Sequence, residues 1–322
     1  MHNLITPDRL TEDQDNTIRP KLLKYFTGQK DICRNLEIFI SAAKSRGEAL
    51  DHILLAGPPG LGKTTMAQLI AQEMGSQAKI TSGPILTKTG DIAAILTNIG
   101  KHDILFIDEI HRMNRAVEEM IYPAMEDFKI DILIGEGQAA KSLRLDIPHI
   151  TVIGATTRLG LMSQPLRERF GIQFRFNFYT IEELAIIISR NAKMLGFGIE
   201  YDASIAISKR SRGTPRVAYR LLRRVRDFAY MHEANTISKE IADEALDNLG
   251  INSLGLDSED KKYIEIIRDL FNGGPVGIET IAAAMCESSN TIEEIIEPYL
   301  IQMGIIQKTP RGRVLVNMMH ET

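Results

Sequence analysis

The segment Gly57-Pro58-Pro59-Gly60-Leu61-Gly62-Lys63-Thr64 constrains this chain more than any other. It fits G-x-x-x-x-G-K-[ST]. It follows directly on a short apolar run, residues 52–56, and leads into a helical pattern of Met66, Ile70 and Met74 that ends at Gly75. Strand, glycine loop and helix in that order are the context that makes the motif a phosphate-binding loop. The glycines let backbone N–H groups turn toward a β-phosphate, and the helix start adds a positive field. Lys63 would neutralise β- and γ-phosphate charge, and the Thr64 hydroxyl would ligate Mg²⁺. A flexible glycine turn is the plain alternative, and the flanking elements make it the weaker one.

The loop belongs to a larger alternation. Short apolar runs at 52–56, 78–80, 103–107 and 150–154 are separated by helical patterns, which predicts a mainly parallel sheet covered on both faces. An earlier helix is predicted from Leu36, Phe39, Ile40 and Ala43, and residues 1–20 read as a polar arm. Between residues 130 and 147 the period changes to two: Ile130, Ile132 and Ile134 alternate, Gly135-Glu136-Gly137 intervenes, and Leu143, Leu145 and Ile147 alternate. This predicts an inserted β-hairpin, either a packed edge or a docking surface for another protein. Residues 180–249 read as all helix and 250–258 as a linker. The last segment reads helix, Gly273-Gly274-Pro275 turn, two helices and a hairpin, the order of a winged helix. A chain of 322 residues accommodates three such domains, predicted at 1–179, 180–252 and 253–322.

The run at 103–107 ends in Asp108-Glu109. A carboxylate at the C-terminal end of a buried strand lies at the mouth of the sheet, where ligands bind. Asp108 would hold Mg²⁺ through water, and Glu109 would orient or deprotonate an attacking water. The run at 150–154 ends in Ala155-Thr156-Thr157-Arg158, and either Thr156 or Thr157 is a candidate to touch the γ-phosphate. Arg167 and Arg169 flank Glu168 just before Phe170-Gly171. An arginine brought to a γ-phosphate stabilises the charge that spreads during its transfer. Gly213-Thr214-Pro215-Arg216 predicts a helix start with Thr214 as cap and Pro215 in the first turn. Arg216 then projects from that start. The stretch from Lys209 to Arg226 carries eight cations and no acid.

Together these words resemble the AAA+ ATPases. The finer wording (IRPKLLKYFTGQ, GPPGLGKTT, TSGPILTKTGD, LFIDEIHR, YPAMEDF, IGATTR, RFGI, GTPRVAYRLLRRVRDFA, EPYLIQMG, TPRGR) resembles the RuvB family, bacterial motors that drive branch migration of Holliday junctions. The resemblance runs from Ile18 to Arg313. It implies an α/β fold: a P-loop AAA+ three-layer parallel-sheet domain, an all-α lid and a C-terminal winged helix. ATP/ADP and Mg²⁺ are the implied cofactors, with Thr64 and Asp108 at the metal and Gly60, Leu61, Gly62, Lys63, Thr64 and Thr65 on the phosphates. The resemblance also implies that Ile18, Arg19 and Tyr179 line the adenine pocket and that Glu126, Asp127 and Phe128 lie near the nucleotide. Thr157, in a choice with Thr156 that stays open, would be the first sensor and Arg216 the second. Arg169, rather than Arg167, would be an arginine finger acting on a neighbouring subunit's ATP. The implied partners are duplex and junction DNA, RuvA docked on the 130–147 hairpin, RuvC in a larger complex, and five further copies in a hexameric ring.

Net charge bears on how DNA would be held. Lys and Arg total 38 against 42 Asp and Glu, a net of −4, so a DNA site must be a local concentration of cations. The third helix of the last domain carries Glu293, Glu294 and Glu297, which excludes base reading by that helix. The hairpin after it holds Lys308, Arg311 and Arg313 around Gly312. These are the predicted contacts to the DNA backbone, with the glycine allowing close approach to phosphate. The two cysteines, Cys33 and Cys286, lie far apart and read as buried reduced thiols. Without a signal-like start or a membrane-length apolar run, the expected location is cytoplasmic, away from membranes. Competing readings are a clamp-loader-like or protein-remodelling AAA+ ring and an ATP-gated scaffold. Residues 81–90 lack the aromatic that an unfolding ring's pore loop needs, and Glu109 argues against the scaffold.

Overall fold

The computed structural model describes residues 19–134 and 141–316. They form two compact units. One is the chain up to Glu183 together with Thr214–Arg216; the other is Leu184–Gly213 with the chain from Val217 onward.

The first unit is built on seven strands: β1 (Ile53–Ala56), β2 (Ala78–Ser82), β3 (Ile104–Asp108), β4 (Lys129–Ile134), β5 (Lys141–Asp146), β6 (Thr151–Thr156) and β7 (Ile172–Arg175). Five make one sheet in the order β2-β3-β6-β1-β7, every neighbouring pair parallel. All residues of β1 and β6 are buried, and β3 is buried up to Asp108. Strands can be apolar on both sides only when both faces are covered. Helices Lys63–Met74, Thr89–Thr97 and Arg115–Glu126 lie between successive strands, and helix Lys30–Arg46 precedes β1. Leu36, Ile40 and Ala43 face the core as predicted, whereas Phe39 is exposed.

The sequence reading places four strands, and the sheet has a fifth. β7 has only four residues, Ile-Gln-Phe-Arg, alternating at the sheet edge. A half-buried edge strand that short carries little apolar signal of its own; its pairing to β1 identifies it.

β4 and β5 form the inserted antiparallel hairpin, with Ile130 opposite Leu145 and Ile132 opposite Leu143. Its base belongs to the core: Ile130 and Ile147 are buried among Val117, Ile121 and Val152, and Ile132 and Leu145 pack against them. Farther out, Leu143 is exposed. The Gly135-Glu136-Gly137 turn, like Ile18 and the rest of the N-terminal arm, lies outside the described residues.

The second unit begins with four helices ending at Met194, Lys209, Met231 and Asn248. The expectation of an all-helical segment needs one addition: Gly198–Ile199 pairs in parallel with Thr236–Ile237. Next come helix Ser258–Glu265 with its continuation Ile266–Leu270, helix Ile278–Met285, a helical stretch from Ser289 to Gln302, and a hairpin of Ile306–Thr309 with Gly312–Leu315. Tyr263, Ile267, Ile281, Ile292 and Leu300 form the core of this winged helix.

Residues 250–258 are a packed connection rather than a loose linker. Asn252 Oδ1 accepts from the N–H groups of Leu254 and Leu256 at 3.1 and 2.9 Å, and Leu256 is buried. The thiol expectation is corrected too: both cysteines are free, but Cys33 is half-buried and Cys286 is exposed.

Candidate active site

The phosphate loop sits where β1 ends. Gly57, Gly60 and Gly62 all have positive φ, a conformation that a side chain makes costly. At Gly60 space is also short, because a Cβ there would come 3.0 Å from Arg216 Cβ. The Arg216 N–H donates to Gly60 O at 3.3 Å, so the predicted second sensor lies against the loop. Lys63 opens the following helix and is buried. Its Nζ donates to the carbonyls of Gly57 and Pro58, both at 2.8 Å. Burial pushes the Lys63 ammonium down to about 8, with Asp108 pulling it up and Arg216 pushing it further down.

β3 delivers Asp108 to the same place. Thr64 Oγ1 donates to Asp108 Oδ2 at 3.4 Å, so the two predicted metal ligands are neighbours. Among the described residues no group of three or more His, Cys, Asp or Glu could hold a metal. Two hard oxygen donors fit Mg²⁺, which keeps waters and takes phosphate oxygens as its other ligands. Glu109 follows in the left-handed region, φ 46°, its backbone close enough to Gly83 that a Cβ on that glycine would meet Glu109 O at 2.5 Å. The Glu109 carboxylate is half-exposed and pairs with Arg112 at 2.9 Å.

The two threonines at the tip of β6 differ. Thr156 is buried, its Oγ1 3.1 Å from His111 Nδ1 and accepting from the Arg158 N–H at 3.0 Å. Thr157 is exposed.

On the predicted adenine side, Tyr179 is buried and its hydroxyl donates to Leu61 O at 3.0 Å. Arg19 Nη1 donates to Gln68 Oε1 at 2.9 Å, on the helix that Lys63 begins. Sequence reasoning missed Gly28 and Phe26. A Cβ on Gly28 would collide with the Tyr179 ring at 2.5 Å, and one on Gly62 would come 3.3 Å from Phe26. Both lie in the family word IRPKLLKYFTGQ, but no spacing there assigned either of them to the site.

Arg169 and Glu126 come together elsewhere. Arg169 Nη2 lies 3.0 Å from Glu126 Oε1, and its guanidinium carbon is 4.1 Å from the Tyr122 ring centre. The structure thus joins Glu126 to the arginine rather than to the phosphate loop. Asp127 is exposed at the end of helix Arg115–Glu126. Phe128 packs on the core with its ring 4.0 Å from His149. Arg167 is exposed.

The chain that builds this constellation of loop, strand-end acid and helix-start arginine is similar to known proteins over nearly its whole length. The profile described as the Holliday junction DNA helicase RuvB P-loop domain matches residues 18–176, the RuvB AAA lid domain 179–252, and the RuvB C-terminal winged helix domain 253–318. The chain belongs to the RuvB family. It is 56% identical over 315 residues to the "Holliday junction branch migration complex subunit RuvB" of Rickettsia africae (strain ESF-5), covering 98% of this chain and 92% of that one. Among solved structures, the Thermotoga maritima RuvB Holliday junction branch migration motor is 48% identical, with a TM-score of 0.84 over 93% of this chain and 95% of that one. A lysine-to-arginine variant of Thermotoga maritima RuvB reaches a TM-score of 0.86 at 48% identity, over 93% and 96% of the two chains.

In this RuvB-family chain the winged-helix hairpin differs from the sequence expectation. The acids thought to lie apart from it reach it. Arg313 Nε donates to Glu297 Oε1 at 2.7 Å, and its Nη2 to Glu293 Oε1 at 2.7 Å. Lys308 Nζ lies 2.6 Å from Glu297 Oε2, and the Tyr263 hydroxyl donates to Glu297 Oε1 at 2.9 Å. Glu297 is fully buried. Burial alone would raise its pKa, but the bonds from Arg313, Lys308 and Tyr263 outweigh that and hold it low. Of the three predicted DNA-contacting cations, Arg313 is enclosed by its acid partners, whereas Lys308, although paired to Glu293 and Glu297, is exposed, as is Arg311. Gly312 serves the fold as well: a Cβ there would come 2.4 Å from Val276 O, the residue bridged to Arg313.

Half of the eight cations before and along helix Pro215–Met231 pair with acids. Arg210 meets Asp243, Arg212 meets Asp257 and Asp260, and Arg224 and Arg226 meet Asp227. Arg216 and Arg220 are exposed.

Proposed function

We propose that this chain is an ATP-hydrolysing DNA motor that drives branch migration of Holliday junctions, as a hexameric ring in the cytoplasm. The observation that carries the reading is the convergence of Lys63, Thr64, Asp108 and Arg216 on one glycine loop, in a chain that also carries a winged helix. We divide the work among residues 1–179, which bind and hydrolyse ATP, 180–252, which respond to it, and 253–322, which hold DNA.

Lys63 releases the loop carbonyls and neutralises the phosphates. Thr64 and Asp108 hold Mg²⁺, which supplies charge neutralisation at the phosphate oxygens. Arg19 and Tyr179 border the adenine. Glu109, turned from Arg112, orients the attacking water, and exposed Thr157 senses the γ-phosphate. Arg169 of a neighbouring subunit leaves Glu126 for the γ-phosphate, where an arginine typically contributes about 10³–10⁵ in rate. Arg216 registers the loss of that phosphate. The exposed Leu143 edge of the hairpin suits an apolar partner surface, that of RuvA, with RuvC joining the larger complex. Among the described residues no helix is long and apolar enough to cross a membrane.

The test is migration of a synthetic four-way junction by the full chain, with and without the junction-binding partner. Movement should require hydrolysable ATP and disappear with Lys63→Ala. ATP turnover that never moves a junction would point instead to another AAA+ remodelling activity.

A further inference from the structure

The short helix Gln164–Glu168 presents Arg169 at its C-terminal end, and both of its ends rest on one side chain. At its start, Ser163 caps the helix by accepting from the Leu166 N–H at 3.3 Å. The Ser163 hydroxyl lies 3.2 Å from the Tyr122 hydroxyl. Both hydroxyls donate to Glu118 Oε1, that of Tyr122 at 2.5 Å. At its end, the Arg169 guanidinium carbon stands 4.1 Å above the Tyr122 ring centre, while Nη1 donates to Pro165 O at 2.7 Å and Nη2 pairs with Glu126. Tyr122, Glu118 and Glu126 all lie on one helix, Arg115–Glu126. Its Val117, Ile121, Ala124 and Met125 are buried in the core.

We propose that Tyr122 is the positioning residue of the arginine finger: its ring holds the Arg169 guanidinium and its hydroxyl holds the helix that carries it. This rests on the reading of Arg169 as a finger that acts on a neighbouring subunit's ATP. The physical logic is pre-organisation. A free arginine side chain explores many rotamers, and one laid on an aromatic face has already lost most of them. When Arg169 exchanges Glu126 for a γ-phosphate, the ring contact lets the guanidinium swing without releasing its plane. Tyr122 touches no reacting atom; it acts through Arg169, so its loss lowers turnover and leaves ATP binding alone.

The experiment measures ATP turnover by full-length chains assembled on junction DNA. Tyr122→Leu should lower kcat about tenfold with KM for ATP unchanged, within the range of a desolvated cation–π contact. Tyr122→Phe keeps the ring and should retain more than half of kcat; a loss equal to that of the leucine variant overturns the ring's role. The deciding measurement mixes Tyr122→Leu subunits one to one with Glu109→Gln subunits. If Tyr122 serves the neighbour's site, pockets that join a Tyr122→Leu phosphate half to an intact Arg169 recover. The mixture then reaches roughly a quarter of wild-type turnover, above the roughly one tenth of Tyr122→Leu alone. If Tyr122 serves its own subunit's pocket, the mixture falls to half of Tyr122→Leu alone, and the proposal is overturned. A parallel mixture of Arg169→Ala with Glu109→Gln isolates the underlying reading. No recovery there defeats the finger in trans, and the Tyr122 proposal with it. Recovery there without recovery for Tyr122→Leu defeats the proposal alone. Should Tyr122→Leu fail to bind nucleotide, Tyr122→Met refills the volume without an aromatic face and takes its place in every arm.

Discussion

Replacing Arg212 by alanine should unmake the junction between the helical bundle and the winged helix in the second unit. Arg212 donates from Nε to Gly255 O at 3.0 Å and from Nη2 to Asp257 at 2.7 Å and to Asp260. Its guanidinium carbon also lies 5.2 Å from the Tyr299 ring centre. Asp260 is 1% exposed, and its carboxyl is pushed up to about 6 by burial, with Arg212 pulling it back down. Removing one partner of such a pair leaves an uncompensated buried charge, a loss of about 3–5 kcal/mol. For a unit of this size that is a fall of roughly 10–15 °C in Tm, read by scanning calorimetry on the full chain. The sign with pH follows from Asp260. Its folded pKa lies above the unfolded value, so the native state binds the proton more tightly, and stability rises as pH falls through about 6. Without Arg212 the folded pKa climbs further, and protonation relieves the bare charge. The deficit of Arg212→Ala should therefore be largest at pH 8 and shrink toward that of lost hydrogen bonds, about 1 kcal/mol each, near pH 5. A deficit under about 1 kcal/mol at pH 8, or one that does not change with pH, would refute the assignment of a buried, charge-compensated junction.

Glu109→Gln should keep ATP affinity and lose about 10²–10⁴ in turnover, measured by nucleotide titration beside phosphate release; a comparable loss of affinity would place Glu109 in binding instead. Arg311→Ala should weaken all duplex sequences alike and lower the salt slope of binding by about one, with Tm unchanged. Arg313→Ala should instead destabilise the winged helix by about 3–5 kcal/mol, because it strips buried Glu297 of its main partner; an unchanged Tm would return Arg313 to the DNA surface. His52 accepts from the Val152 N–H at Nδ1 and lies 2.9 Å from Met125 O at Nε2, and burial lowers its pKa. Acidification below about 6.5 should then reduce the stability of the first unit, since the unfolded histidine takes up a proton sooner; His52→Gln should flatten that slope in a pH series of melting curves.

The phosphate loop, the acid at the end of β3, the hairpin and the order of elements in the winged helix were all legible, because each is written in contiguous residues. Loop glycines, an apolar strand and a helix start are local statements about backbone conformation. What escaped were pairings across space. Glu297 reads as one of several acids on an exposed helix, and Arg313 as a free cation, until the helix lies on the hairpin and brings the two within 2.7 Å. A trace of this was present: Glu297 stands between buried Ile296 and Leu300, so helical spacing already turned it inward. The same holds for Glu126 and Arg169, which are 43 positions apart in sequence yet 3.0 Å apart in space. No spacing rule connects them; only the docking of two helices does. β7 was missed for the opposite reason: it is local but half-exposed, and two apolar residues do not separate a strand from a turn.

The internal pairing of Lys308 and Arg313 changes the argument about how DNA is held. With three free cations per hairpin, a ring would grip tightly, and each release would be slow. With Arg313 enclosed, the exposed cations are Arg311 and Lys308, the latter shared with Glu293 and Glu297, so the proposed contact per subunit is to one or two phosphates, which at physiological salt is weak and readily reversed. A device that must let go of the duplex at every step gains from that weakness, provided several copies hold at once. The buried Glu297 then has a clear task. It ties the two strands of the hairpin to the helix behind them, through Lys308 and Arg313, a stiffness that the proposed motor would use to carry force to Arg311. Stiffness within the domain and weakness at its tip are separate requirements, and the distribution of partners among Lys308, Arg311 and Arg313 meets both.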